Sequence, residues 1–425
     1  MTIVLIVLLI ALLLGSVPIF IALNLAVFVA MMLFTNVEPM VIIQKAFSGI
    51  DKFALMSMPF FIFAANVMDT GGLSTRILKW TRSIVGSVRG GLGYTTELAC
   101  MFFGALSGSS PATVIAMGKI LYPELIRQKY PKGFSLGLIA SSGSVALLIP
   151  PSITLIIYAT ATGVSVGELF IAGIGAGIAY GLATIIYVFF YAKKHKLPVD
   201  ERSSFKEIMQ NTIDAMWSLA VPVIILGGIY FGIFTPTEAA GISAIYAIFV
   251  GLFIYKELTL KKLYDVCVRS AVTCAQVLVL VAGAQTFAWF LTVARVPQTL
   301  TEGIIQNVHS PILFLLLVNI ILLIVGMFME GIAAITILAP LFFPIAVKMG
   351  IDPVHLGIIM VANLAIGNFT PPFGLNLFVA NSVTGVPISK IASAAMVFVA
   401  VSVAALMVIT YVPSVSMFLP NMIYK

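Results

Sequence analysis

The sequence predicts an all-α polytopic membrane protein made of two inverted repeats, each holding a re-entrant hairpin and a broken membrane helix. Composition is the first reason: 61% hydrophobic and 9% charged residues, with a mean hydropathy of +1.14, lie far outside the usage of soluble domains. An internal repeat is the second. Ser107-Gly108-Ser109-Ser110-Pro111 and Leu148-Ile149-Pro150-Pro151-Ser152 interrupt neighbouring apolar segments, and Met329-Glu330-Gly331-Ile332-Ala333 and Asn368-Phe369-Thr370-Pro371-Pro372 do so again. Pro123, Pro150 and Pro151 recur as Pro344, Pro371 and Pro372, each 221 positions on. With a slip of one, Thr162-Gly163-Val164 recurs as Thr384-Gly385-Val386. Pro-Pro removes helix donors and forces the preceding residue out of the helical region, so each copy contains a broken helix.

In chain order, residues 3–34 read as one long span, about 48 Å at 1.5 Å per residue, bent near Gly15-Ser16-Val17-Pro18. Residues 37–51 mix polar and apolar positions at helical spacing and suit the interface. Residues 53–70 form the second span, and 74–89, with Arg76, Lys79, Arg82 and Arg89, a basic interfacial helix facing lipid headgroups. Residues 91–127 carry the first tip in their middle, which predicts a hairpin rather than two crossings. Non-helical backbone is prohibitive in lipid, so such a tip must be buried in protein or line a wet cavity. Residues 133–162 cross with a break at the prolines, 168–192 return, and 216–234 add an extra span. The second copy follows: a span over 236–255, a basic connection over 256–269, a span over 270–291, the second hairpin over 311–348, the broken span over 355–382 and a last span over 388–413.

The third observation is charge placement. The extra span makes the second repeat begin on the opposite side from the first, and the basic clusters at 76–89, 127–132, 193–206 and 256–269 then all fall on one side, while 35–44, 163–168 and 298–310 hold no Lys or Arg. Lys348 is the exception. Basic loops stay in the cytoplasm, which puts the N-terminus inside and the C-terminus outside. The net charge of +7 is explained by this bias, and nucleic acid is not a partner. Cys100, Cys267 and Cys274 have no paired spacing and predict neither disulfide nor metal framework.

Inverted repeats whose broken helices meet near the midplane are the architecture of secondary transporters. Half-helix N-termini present amide donors to an anion, and unwound carbonyls with hydroxyls can replace a sodium ion's water. The expected sodium ligands are Ser107, Gly108, Gly143, Ser144 and Ile149 in the first repeat and Gly326, Glu330, Gly367 and Thr370 in the second, which makes two sites. Ser109, Ser110, Arg295 and Asn368 are the expected substrate contacts, Arg295 through its planar fork if it turns inward rather than towards headgroups. Ser and Gly in membrane helices also serve close packing; the pairing of tip with double proline, seen twice, favours the ion-binding reading. Glu238, after Thr235-Pro236-Thr237, reads as a helix start. Lys119 and Glu124 belong at the end of the first hairpin. His195, His309 and His355 fall in loops or at span ends and offer no proton relay.

The hairpin 105–114, Phe234-Thr235-Pro236-Thr237-Glu238-Ala239, Gly326-Met327-Phe328-Met329-Glu330 and Asn368-Phe369-Thr370-Pro371-Pro372-Phe373-Gly374 resemble, in that order, motifs of the large membrane subunit of tripartite ATP-independent periplasmic transporters. The sialic acid branch is the most similar. The resemblance covers essentially the whole chain. It implies an elevator-type, sodium-driven importer of a small carboxylate in the bacterial inner membrane, with a separate four-helix membrane subunit and a periplasmic binding protein as partners and no cofactor. Residues 1–73 and 236–292 would be scaffold helices. Residues 74–192 and 293–425 would hold the interfacial helix, hairpins, broken helices and last spans, and 193–235 the connection.

Other readings compete. A proton-coupled carrier would need titratable groups where the tips carry hydroxyls and glycines, and a passive anion channel would use the breaks as a fixed filter. With sialic acid the first expectation, a C4-dicarboxylate or another organic acid is the alternative substrate. An enzyme is not expected: no histidine is predicted at the depth of Ser107, and no P-loop occurs.

Overall fold

A computed structural model describes residues 2–15, 17–35, 37–200, 202–308 and 310–424. Among them eight helices are long and apolar enough to cross a membrane. The first departure from expectation comes at once. Residues 3–34 are two helices, α1 (Thr2–Leu14) and α2 (Ile19–Phe34), because Pro18 offers no amide to a preceding turn and sits instead before a helix start. Leu5 of α1 joins one apolar cluster with Leu23, Ala26, Val27 and Ala30 of α2, so the two pack on one another. Ser16, placed at the expected bend, lies outside the described residues, as does His309.

The first repeat continues with α3 (Met40–Ile50), a 3-10 turn over Phe53–Met56, α4 (Ser57–Thr70) and α5 (Leu73–Val85). Its hairpin is α6 (Gly91–Ser107) and α7 (Ser110–Arg127). The broken helix is α8 (Lys132–Ser142), a 3-10 stretch over Gly143–Leu147, and α9 (Ile153–Thr162), followed by α10 (Val166–His195). The extra span is α11 (Phe205–Tyr230).

The second repeat opens with α12 (Pro236–Phe249), which the sequence marked: Thr235 and Glu238 form a reciprocal capping box. Next come α13 (Leu260–Val293) and α14 (Val296–Asn307). Here two expectations are corrected. The basic stretch 256–269 is largely the first turns of α13 rather than a loop, since Thr259 caps the helix and Leu260 to Arg269 continue it without Gly or Pro. The segment 298–310 contains α14, an amphipathic helix where only a connection was expected. The hairpin α15 (Pro311–Phe328) and α16 (Gly331–Lys348), the halves α17 (Pro353–Gly367) and α18 (Leu375–Thr384), and α19 (Ile388–Tyr411) complete the copy. A terminal helix α20 (Ser414–Tyr424) was not foreseen.

Packing shows the two-fold relation. Helix α2 lies on α13 as α12 lies on α4, and α7 lies on α18 as α16 lies on α9. The hairpins are therefore buttressed by the broken helix of the opposite repeat. His355, expected at a span end, is in the first turn of α17 but buried, with Nδ1 2.8 Å from Ser416 Oγ and Nε2 3.1 Å from the Thr410 carbonyl.

The basic face of α5 does not simply await headgroups. Arg82 Nη2 lies 2.9 Å from Glu124 of α7, and its Nε lies 2.9 Å from Asp200 of the linker before α11. Gln128 donates to the same Asp200 at 2.6 Å, and Arg127 lies 2.6 Å from Glu124. Arg76 pairs with Glu257 at 2.7 Å and stacks 3.6 Å from the centre of the Tyr255 ring. Both arginines tie this helix to neighbouring linkers through planar, charge-assisted contacts.

Candidate functional site

The first tip is built by its own hydroxyls. Gly108 ends α6 with φ +58°, a left-handed conformation that favours glycine, and Ser109 is extended before Pro111 fixes the first turn of α7. Ser107 Oγ lies 2.9 Å from Thr113 Oγ1, the Thr113 hydroxyl donates to the Ser109 carbonyl at 2.9 Å, and the Ser109 amide donates back to Ser107 Oγ at 3.3 Å. Any Cβ on Gly108 would collide with the Pro151 carbonyl, which places the tip directly against the first break. Gly143 is close beside Ser110, its Cβ position lying 3.0 Å from the Ser110 carbonyl.

In that break Ser152 caps α9 and donates to the Leu147 carbonyl at 2.6 Å. Ser144 turns elsewhere: its hydroxyl donates to the Ser141 carbonyl at 2.6 Å and lies 2.9 Å from the Tyr180 hydroxyl of α10. Ile149 packs on Gly177 of α10. Neither side chain is therefore turned to the tip.

In the second repeat Met329 and Glu330 are both extended, and Glu330 stands exposed before α16. Gly326 and Gly367 bring α15 and α17 into backbone contact, since a Cβ on Gly367 would stand 2.5 Å from Gly326 Cα. A corresponding approach, Gly104 on Ala146 at 2.8 Å from a would-be Cβ to Cα, precedes the first tip. Thr370 donates its hydroxyl to the Ile366 carbonyl at 2.7 Å, and the Asn376 amide donates to the Asn368 carbonyl at 2.7 Å. Asn368 is buried at the end of α17. Pro150-Pro151 and Pro371-Pro372 are both cis.

Sequence reasoning missed the contact that joins the two halves. Asn376, second residue of α18, donates to Ser110 Oγ at 2.8 Å and to the Ala140 carbonyl at 3.1 Å, while the Ser110 hydroxyl lies 3.1 Å from Asn376 Oδ1. The mirror-related pair is Thr154, second residue of α9, and Gly331, first residue of α16: a Cβ on Gly331 would lie 3.9 Å from Thr154 Oγ1. Each tip thus rests on the second half-helix of the other repeat. The signal was present in the register, because Ser110 and Gly331 are 221 apart and Thr154 and Asn376 are 222 apart.

Arg295 is not brought to this cluster. It sits at the bend between α13 and α14 with φ +54°, its side chain exposed. Arg295→Lys is therefore expected to transport within about twofold of the parent, because an exposed cation near headgroups does not need the planar fork. A severe loss of uptake by that variant would restore the guanidinium to the substrate path.

A family model described as "Tripartite ATP-independent periplasmic transporter, DctM component" matches residues 6–415. The chain is 45% identical over 89% of its length to a "C4-dicarboxylate TRAP transporter large permease protein DctM" of Pseudomonas aeruginosa, covering 88% of that protein. It is 40% identical to the protein of the same description from Rhodobacter capsulatus, covering 98% of both chains. An "Isethionate TRAP transporter permease protein DctMQ" of Oleidesulfovibrio alaskensis is 42% identical over 95% of this chain and 64% of its own length. Among solved structures, the YdaH transporter of Alcanivorax borkumensis superposes with a TM-score of 0.64 at 15% identity, covering 95% of this chain and 98% of that one. That likeness concerns the fold alone.

Proposed function

Because this chain belongs to the DctM component family of tripartite ATP-independent periplasmic transporters, we propose that it is the membrane permease subunit of a sodium-coupled importer for a small carboxylate. One observation carries the reading: each hairpin tip meets a broken helix of its own repeat and rests on the half-helix of the other. Four helix N-termini, those of α7, α9, α16 and α18, converge there with unwound backbone, the arrangement that serves an anion and hard cations together.

In this reading two sodium ions bind. One uses the Ser107 to Ser109 tip with backbone of Gly143, Ser144 and Ile149; the other uses Gly326, Glu330, Gly367 and Thr370. Ser109, half-buried, Ser110 and Asn368 lie at the same junction and would contact the carboxylate. The hairpins and broken helices would move as one body against α2, α4, α12 and α13, with the linker at 193–206 and the basic start of α13 at 256–269 in the cytoplasm. Two relatives named for C4-dicarboxylates favour that substrate class over the sialic acid that the motifs first suggested. A small membrane subunit and a periplasmic binding protein complete the machine, the former in keeping with a relative whose name joins M and Q.

The test is reconstitution in vesicles with a labelled panel of C4-dicarboxylates and sialic acid. Uptake should require an inward sodium gradient, the small subunit and the loaded binding protein together. Ser107→Ala and Thr370→Ala should raise the sodium concentration for half-maximal uptake about tenfold or more, the usual scale for disturbing a metal's immediate surroundings. Full-rate uptake by this chain alone, or uptake indifferent to sodium, would overturn the assignment; unchanged sodium response in both variants would return the hydroxyls to packing.

A further inference from the structure

Glu97 lies in the middle of α6 with no exposed surface, and neither of its carboxyl oxygens has a hydrogen-bond partner. Facing it from the last turn of α8 is Ser142, also buried, whose hydroxyl likewise has no partner. Ser142 is the one hydroxyl close enough to interact with the Glu97 carboxyl, and neither group finds a partner elsewhere. Cys100 is one turn along α6 and Tyr180 of α10 is near, its hydroxyl committed to Ser144. Among the described residues no Lys, Arg or His pairs with Glu97.

A carboxylate buried without a counter-charge is costly in any interior and more so at membrane depth. Three oxygens from two helices thus share one buried spot. An all-oxygen set suits a hard ion.

We propose that Glu97 and Ser142 form a buried site for a monovalent cation of sodium's kind, set between α6 and the C-terminal end of α8. It is distinct from both tips: Glu97 is eleven residues before Gly108, about 16 Å along the helix at 1.5 Å per residue. It does share a seam with the first tip. Helix α6 runs beside the broken helix from Glu97 and Ser142, past Gly104 on Ala146, to Gly108 on Pro151, so an ion at its foot steadies the wall against which the tip closes.

The test measures binding of labelled sodium to the purified full-length chain in detergent, with Glu97→Gln, Ser142→Ala, Ser107→Ala and Thr370→Ala in parallel. Glu97→Gln should weaken one class of sodium binding about tenfold or more while retaining the parent's size-exclusion profile, and Ser142→Ala should weaken the same class less. Ser142→Ala removes a single hydroxyl and keeps the test decisive if the Glu97 variant fails to fold. Sodium binding unchanged in both variants would overturn the site. So would a Glu97→Gln variant whose only change is a lost pH dependence of uptake, which would mark the carboxyl as a proton carrier. The site is independent of the tip reading: loss in the Glu97 variant with no change in the Ser107 and Thr370 variants would sink the tips and leave Glu97, and the reverse pattern would do the opposite.

Discussion

Gly367→Leu is expected to abolish uptake and to lower the melting temperature of the purified chain markedly, with Gly367→Ala intermediate. The first carbon of any side chain at this position would stand 2.5 Å from the Cα of Gly326, well inside van der Waals contact. Gly326 has no side chain to turn aside, so relief requires α15 and α17 to separate as whole helices. Overpacking a tight interior costs about 1 to 3 kcal/mol, occasionally more, and here the displaced backbone leads directly into the tip at Met329 and the break at Asn368. The control is Gly241→Ala in α12, where an added Cβ would meet nothing within 4 Å. That variant should match the parent. Normal uptake and melting by Gly367→Leu would show that the two helices part there without cost.

Asn376→Ala is the second large effect. Its amide is buried and shared between Ser110 Oγ and the Ala140 carbonyl, so truncation orphans groups on two other helices. Each buried group left unpaired costs about 1 to 3 kcal/mol. A loss of about 1.4 kcal/mol in holding the first tip against α18 lowers the competent population tenfold. Uptake should therefore fall about tenfold or more with substrate and binding protein saturating. Ser110→Ala should cost less, because Asn376 keeps its bond to Ala140. The double variant should be no worse than Asn376→Ala, since residues in one network do not add. Strict additivity of the two losses would mean that the pair is not coupled.

Much of this arrangement was legible in the sequence, for a physical reason. Gly and Pro act locally, so Gly108 and Pro111 announced the first tip, Gly331 the second, and Pro150-Pro151 and Pro371-Pro372 both breaks, within a residue or two. Thr235 with Glu238 announced a cap for the same reason. What failed to show was set by tertiary packing. Asn376 lies inside an apolar run and becomes structural only because α7 crosses α18. Ser144 looked like an ion ligand by position, but Tyr180, 36 residues on, holds its hydroxyl. Arg295 gave no local sign of which way it points. The run from 3 to 34 misled because apolar content cannot tell one long helix from two that fold back at a proline, and α14 was hidden by its short, mixed composition. Glu97 drew no notice because a single acid in a helix has no pattern; its meaning comes from the absence of any partner once the chain is folded.

The contact between Ser110 and Asn376 spans 266 positions of chain. A ribosome adding about 5 to 20 residues per second reaches the second only about 13 to 53 s after the first. Throughout that interval the first hairpin is complete in sequence but lacks the helix that covers its tip, and irregular backbone cannot face lipid unaided. The nascent first half must therefore be sheltered by the insertion machinery or held back from full insertion until the second half arrives. The mirror contact, Gly331 with Thr154, imposes no such wait, because its older partner is already in place when the second hairpin emerges. Two repeats that are equivalent once folded are thus unequal while being made, and the hazard of misassembly falls on the earlier one.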